Sequence, residues 1–172
     1  MGHEAVYVHM AEKYYLSGLA DWADQKTIDK LKKRVAALKP TLIGKVAPEI
    51  AMTDLYGNPV SLSKFVPKHD FTIIAWWNST CGHCKKEMPK LRAVYDSILI
   101  NQNVGVFAVS TEHEDGEWKK VIADLKLEPF THAIDLTNTS YAQAWYDVYS
   151  TPLILVLDKK GKILAKKISI ED

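Results

Sequence analysis

The sequence predicts an α/β fold, a central mixed β-sheet flanked by helices and preceded by a helical N-terminal extension. Three patterns predict it. Continuous apolar runs alternate with helix-period segments from residue 70 onward. The chain then closes on two extended runs joined by the turn "KKGK". The first forty or so residues carry helical periodicity alone. Alternating strands and helices put helices on both faces of a sheet, and a closing antiparallel hairpin makes that sheet mixed.

Residues 4–17, "EAVYVHMAEKYYLS", read as a helix with Val6, Met10 and Tyr14 on one face. Ser17-Gly18 interrupts it. "LADWADQKTIDKLKKRVAALKP" then resumes the helical pattern, with Ile28, Leu31, Val35 and Leu38 as its apolar stripe and Pro40 as its stop. Such a stripe is a packing face and carries no chemistry. Residues 1–42 therefore read as an extension, or as the end of a preceding helical domain, and residues 43–172 as the main domain. From Gly44, "GKVAPEIAMTDLYGNPVSLSKF" reads as a β-hairpin turning at Tyr56-Gly57-Asn58-Pro59.

"DFTIIAWW" (70–77) is apolar, β-branched and aromatic throughout, which suits a strand buried on both faces. The helix after it runs through Met88, Leu91, Val94, Tyr95 and Ile98. "NVGVFAVS" is the second buried strand and "DGEWKKVIADLK" the next helix. "FTHAIDL" reads as a short strand and "TSYAQAWYDV" as a helix. "PLILVLD" and "ILAKKI" form the closing hairpin.

Totals exclude several function classes. The chain is 47% hydrophobic and 25% charged, a soluble globular composition. Its 22 basic and 21 acidic side chains nearly cancel, so no electrostatic footprint for nucleic acid or an anionic membrane is expected. No apolar run approaches a transmembrane length. The opening "MGHEAVYVHM" lacks the charged and apolar regions of a signal peptide.

The two cysteines stand together in "WWNSTCGHCKKEMP", as Cys81 and Cys84. Two thiols cannot staple a domain of this size, and they are too few for a four-cysteine zinc site. Lys85 stands where a c-type haem site needs His. Of the histidines, at 3, 9, 69, 83, 113 and 132, only His3 and His9 have H-x3–5-H spacing, and they lie far upstream of the cysteines, so no pair follows Cys84 to complete a zinc finger. No metal site is therefore expected, although mixed Cys/His ligation stays possible, and a redox couple of two thiols would need no organic cofactor.

A redox couple has a physical reason to arise here. A strand ending at Trp77 and a helix beginning near Cys81 place the first thiol at a helix N-terminus, where free backbone N–H groups and the macrodipole favour a thiolate. In that setting a Cys pKa falls to roughly 3.5–7.5 from about 8.5. The thiolate is the attacking species in disulfide exchange. Cys84, one turn further on, is more shielded and can resolve the mixed disulfide. Pro152 lies just before the buried run "LILVLD", where a missing N–H costs least, and on its own reads as a strand boundary.

"FTIIAWWNSTCGHCKKEMPKL", followed some seventy positions later by "VYSTPLILVLDKKGKIL", resembles the thioredoxin superfamily. The segment "GKVAPEIAMTDLYGNPVSLSKF" resembles the opening of its TlpA/ResA-like, AhpC/TSA-related branch of thiol–disulfide oxidoreductases. The resemblance spans about residues 43–168 and implies a thioredoxin-like fold. It implies Cys81 as nucleophile, Cys84 as resolving thiol, and Pro152 as a cis-proline against the disulfide, with Thr151 offering backbone pairing to a bound peptide. Pro89 matches the proline that kinks the family's active-site helix. Glu87, three residues after Cys84, matches an acidic residue that assists proton transfer. Residues three apart share a helix face, so Glu87 can sit below Cys84; the plainer alternative is an exposed carboxylate beside Lys85 and Lys86. Trp77, or Trp76, is expected to pack near the disulfide. Tyr146 and Tyr149 are core candidates that could instead line the groove.

Departures from the pattern carry weight too. Ala75 stands where thioredoxins bury an Asp, which moves attention to Glu87. The Gly-His dipeptide resembles that of protein disulfide isomerases. A protonated His83 stabilises the Cys81 thiolate and makes the couple more oxidising, toward about −180 rather than about −270 mV. The family usually adds a C-terminal helix after the hairpin, where "ISIED" stands; either that helix lies outside this sequence or another element covers that sheet face. The implied partners are protein thiol or disulfide substrates, misoxidised exported proteins and apocytochrome c among them, and a recycling partner protein. The implied location is the periplasm or cell envelope of a Gram-negative bacterium.

Two rivals remain at this level. A peroxiredoxin needs P-x-x-x-T-x-x-C, and "AWWNST" before Cys81 does not supply it. A non-enzymatic thioredoxin-like binding or metal-carrier module could use Cys81, Cys84 and a His, but copper carriers of the superfamily generally have three residues between their cysteines and a distant His, whereas two residues separate Cys81 from Cys84.

Overall fold

The computed structural model describes residues 3–170. Its centre is a five-stranded mixed sheet in the order β5-β4-β3-β6-β7, formed by β3 (Phe71–Trp77), β4 (Val104–Ser110), β5 (Thr131–Ala133), β6 (Leu153–Asp158) and β7 (Ile163–Lys166). β3 runs parallel to β4 and antiparallel to β6, and β7 closes the hairpin with β6. A two-stranded antiparallel hairpin, β1 (Ala51–Thr53) and β2 (Pro59–Ser61), precedes it. Asp54 fixes that turn by accepting from the amides of Tyr56 and Asn58.

The apolar runs fill two layers because strand side chains alternate between faces. Ile73, Ala75 and Trp77 face one core with Cys84, Met88 and Leu91 of α4 (Gly82–Ser97) and Trp118 and Ile122 of α5 (Gly116–Asp124). Ile74 and Trp76 face the other. There they meet Leu62 of α3 (Leu62–Phe65) and Ala142 of α6 (Ala142–Trp145), followed by Tyr146. The thioredoxin-like α/β arrangement expected from the sequence is the one observed.

Gly105 in β4 shows how closely these layers approach. A Cβ there would run into the imidazole of His69, which is itself packed on Phe65 with centroids 4.5 Å apart. Gly105→Ala is expected to destabilise the fold by about 1–3 kcal/mol, the usual cost of overpacking. The midpoint of urea unfolding measures it, and an unchanged midpoint would show that His69 moves aside freely.

The N-terminal segment differs from its expected pattern. The first helix, α1 (His3–Met10), passes into a π-helical turn at Ala11–Tyr15. It buries Val8 and Ala11 against Val35 and Leu38 of α2 (Gln25–Leu38). Val6, Met10 and Tyr14 point to solvent instead. Positions 8 and 11, three apart, share a face, so their burial against α2 turns the 6/10/14 face outward. Residues 19–24 are not helical: Asp24 caps α2 by accepting from the Thr27 amide at 2.6 Å. The stripe of α2 does pack inward through Val35 and Leu38. Ion pairs of Glu4 with Lys166 and Lys167, and a hydrogen bond from buried Lys166 to Thr41, fasten this segment to β7.

The helix expected over "TSYAQAWYDV" shrinks to the four residues of α6, because Tyr141 and Asp147 on either side adopt left-handed backbone conformations. Among the described residues, no helix is long and apolar enough to cross a membrane.

Candidate active site

Strand register decides which loops meet. Trp77 pairs with Ser110 in parallel, and Trp76 pairs with Leu153 in antiparallel fashion. The end of β3, the end of β4 and the start of β6 therefore lie at one edge of the sheet. The segments 78–81, 111–115 and 149–152 converge there, at the carboxyl ends of parallel strands where open α/β sheets place their sites.

Cys81 is the N-cap of α4. Its Sγ accepts from the Cys84 amide at 3.4 Å, and as a thiol it donates to the Thr151 carbonyl at 3.6 Å. The Cys84 N–H holds the Cys81 thiol below the usual cysteine range. Cys84 is fully buried, and that burial pushes its thiol up to about 11. Both are free thiols. One helical turn thus presents a half-exposed, ionisable sulfur and a shielded, protonated one.

The remaining sequence-derived residues fall around this pair. The Thr151-Pro152 peptide is cis. Trp77 is fully buried, packing in the same core as Cys84 and Met88; Trp76 packs on the opposite face, against Tyr146. Tyr146 is core, its hydroxyl donating to the Pro48 carbonyl at 2.5 Å. Tyr149 is 80% exposed and shares a groove of about 250 Å³ with Cys81, Ser150 and Thr151. Pro89 lies inside α4, where it cannot donate to the Lys85 carbonyl.

Glu87 is half-buried and pairs with Lys90 at 2.9 Å. With exposed His83 it faces a larger groove of about 730 Å³, shared with Pro152, Ile154, Ile168 and Ile170. Glu87 is therefore turned toward the side of the site that holds Pro152, with Lys90, not Lys85 or Lys86, as its ion-pair partner.

Sequence reasoning missed the support beneath the Cys81 loop. Glu112 accepts from the Ser79 amide at 2.9 Å and from the Ser79 hydroxyl at 2.5 Å. Asn78 accepts from the Thr80 amide and hydroxyl and donates to Thr111. The Asn78-Ser79-Thr80 turn is legible as a local side-chain turn. Glu112 is not, because its contact spans 33 residues. Among the described residues, no group of three or more His, Cys, Asp or Glu side chains is placed to hold a metal ion.

The AhpC/TSA family model matches residues 43–166. The chain belongs to the AhpC/TSA family. Among its relatives in that family, the thiol-disulfide oxidoreductase ResA of Bacillus thuringiensis subsp. konkukian is 30% identical over 122 residues, spanning 71% of this chain and 67% of that protein. The sporulation thiol-disulfide oxidoreductase A of Bacillus subtilis is 26% identical over 117 residues, 68% of each chain. A domain of a possible thiol-disulfide isomerase from Cytophaga hutchinsonii superposes with a TM-score of 0.71 at 36% identity, covering 77% of this chain and 88% of that one. A thioredoxin-like protein from Bacteroides caccae shares the fold over 98% of this chain and 59% of its own, with a TM-score of 0.84 at 18% identity. This AhpC/TSA member is a thiol–disulfide oxidoreductase of the TlpA/ResA-like, thioredoxin-superfamily branch.

Proposed function

We propose that the chain exchanges disulfides with protein substrates through a Cys81–Cys84 dithiol/disulfide couple, without an organic cofactor or metal. The observation that carries this reading is the asymmetry of the pair. Cys81 caps a helix with its sulfur on an amide N–H, while Cys84 is buried with its thiol raised to about 11.

In the reductive direction the Cys81 thiolate attacks one sulfur of a substrate disulfide, and the other sulfur leaves as a thiolate. Cys84 then loses its proton and attacks Cys81 Sγ. The second substrate sulfur is released, the substrate has gained two electrons, and Cys81–Cys84 is oxidised. Glu87, half-buried on the same helix face, takes the role of proton acceptor for Cys84. His83 adds positive charge beside the Cys81 thiolate when protonated. Thr151 pairs with the substrate backbone, Pro152 borders the sulfurs, and Trp77 backs the pair from the core. The reverse sequence oxidises a substrate dithiol.

A second protein must reset the couple after each turnover. The cell envelope, in a Gram-negative bacterium the periplasm, is the compartment this chemistry suits, because disulfides persist in oxidising compartments. Misoxidised exported proteins and apocytochrome c are the substrate candidates.

Equilibration in glutathione or dithiothreitol buffers followed by thiol trapping tests the reading. A reversible two-electron transition confined to Cys81 and Cys84 is expected, with its midpoint nearer the isomerase than the thioredoxin value if His83 acts as proposed. Failure to form the disulfide under oxidant would overturn the mechanism.

A further inference from the structure

The loop that carries Thr151 and Pro152 begins at a buried acid. Asp147 has a side chain 1% exposed and a left-handed φ of 55°. Its Oδ1 accepts from Arg34 Nη1 at 2.6 Å, across 113 residues of sequence. Its Oδ2 has no hydrogen-bond partner among the described residues. Arg34 lies on α2, outside the segment that the AhpC/TSA model matches. The same guanidinium lies over the ring of Tyr149, 5.3 Å from its centroid.

Residues 147–152 divide two spaces. On one side is the groove holding His83, Glu87 and Pro152. On the other is a cavity of about 480 Å³ bordered by Met52, Trp76, Ser110 and Asp135. Asp147 and Tyr149 border both spaces, and Tyr149 also borders the Cys81 groove. A buried carboxylate stays with its cation, since separating them leaves an uncompensated charge. The start of this dividing loop is therefore held by a side chain from the N-terminal helices.

We infer that Arg34 is a positioning residue for polypeptide substrates. By holding Asp147 and Tyr149 it sets the wall against which a disulfide-bearing chain lies beside Cys81. This rests on the exchange reading above. A polypeptide touches that wall at several residues, whereas a small aromatic disulfide needs only Cys81. Displacing the wall therefore penalises the polypeptide selectively.

The test uses the full chain and two disulfides, a disulfide-bonded polypeptide such as insulin and 5,5′-dithiobis(2-nitrobenzoic acid). The readout is the ratio of their kcat/KM values. The double variant R34M/D147N removes both charges at once and leaves no lone buried carboxylate. Its ratio is expected to fall about tenfold or more, chiefly through KM for the polypeptide, as sub-ångström to ångström misplacement allows. R34K keeps the ion pair and is a second variant; an ammonium lacks the flat face that lies over Tyr149, so its ratio is expected to fall about threefold.

The reduction potential of Cys81–Cys84 is expected to match the wild type in both variants, which separates positioning from damage to the couple. A ratio within about twofold of wild type in either folded variant overturns the role of Arg34. A wild-type chain inert toward both disulfides overturns the exchange reading, and this inference falls with it.

Discussion

Replacing Cys81 by Ser is expected to lower disulfide exchange by on the order of 10³-fold or more, because the attacking sulfur is gone and a serine hydroxyl stays protonated at neutral pH. Cys84→Ser is expected to fail differently. Cys81 keeps its place on the Cys84-position amide, so the first attack proceeds and the mixed disulfide is not resolved. Turnover is lost while the first half of the reaction survives. Insulin reduction under steady-state and single-turnover conditions separates the two variants. If both lose the first step equally, Cys84 contributes to attack and the assigned roles are wrong.

The second large effect is a difference in thiol reactivity. A thiol raised to about 11 is ionised to roughly one part in 10⁴ at pH 7. Unperturbed cysteine is about 3% ionised, and Cys81 lies below the usual range. Iodoacetamide should therefore modify Cys81 at least about 10²-fold faster than Cys84 in the native reduced chain, and burial of Cys84 widens the gap. Mass mapping after short exposures measures this ratio. Comparable rates would show that Cys84 is not shielded.

The same shifts set opposite pH dependences of stability. Cys84 has a folded pKa above its unfolded value, so its contribution is complete below about pH 9 and is lost as pH rises to about 11. Cys81 has a depressed folded pKa. Its contribution is present above the unfolded pKa and is lost as pH falls through the folded one.

Much of the site was legible because its signals are local. The apolar run 70–77 becomes the central strand, and its last residue places Cys81 at a helix N-terminus through a three-residue turn. Pro152 was legible in the same way, as the residue before a buried strand. What stayed hidden depends on contacts between distant residues. Glu112 under Ser79 and Arg34 on Asp147 are ordinary surface-type residues in the sequence, and only the sheet register and the docking of α2 bring them to the site.

The α1 stripe misled for a related reason. Val6, Met10 and Tyr14 have the right spacing. The contact with α2 nonetheless buries Val8 and Ala11, on a face turned away from that stripe. Tyr141 and Asp147 shortened the expected last helix, and their left-handed conformations leave no mark in hydrophobic periodicity.

The assignment of Cys81 as the attacking thiol is tested most directly by capture. The Cys84→Ser chain, mixed with a disulfide-bonded polypeptide and quenched in acid, should yield a covalent adduct that dithiothreitol releases. Peptide mapping should place the bond at Cys81. No adduct, with Cys81 recovered as a free thiol, would contradict the account.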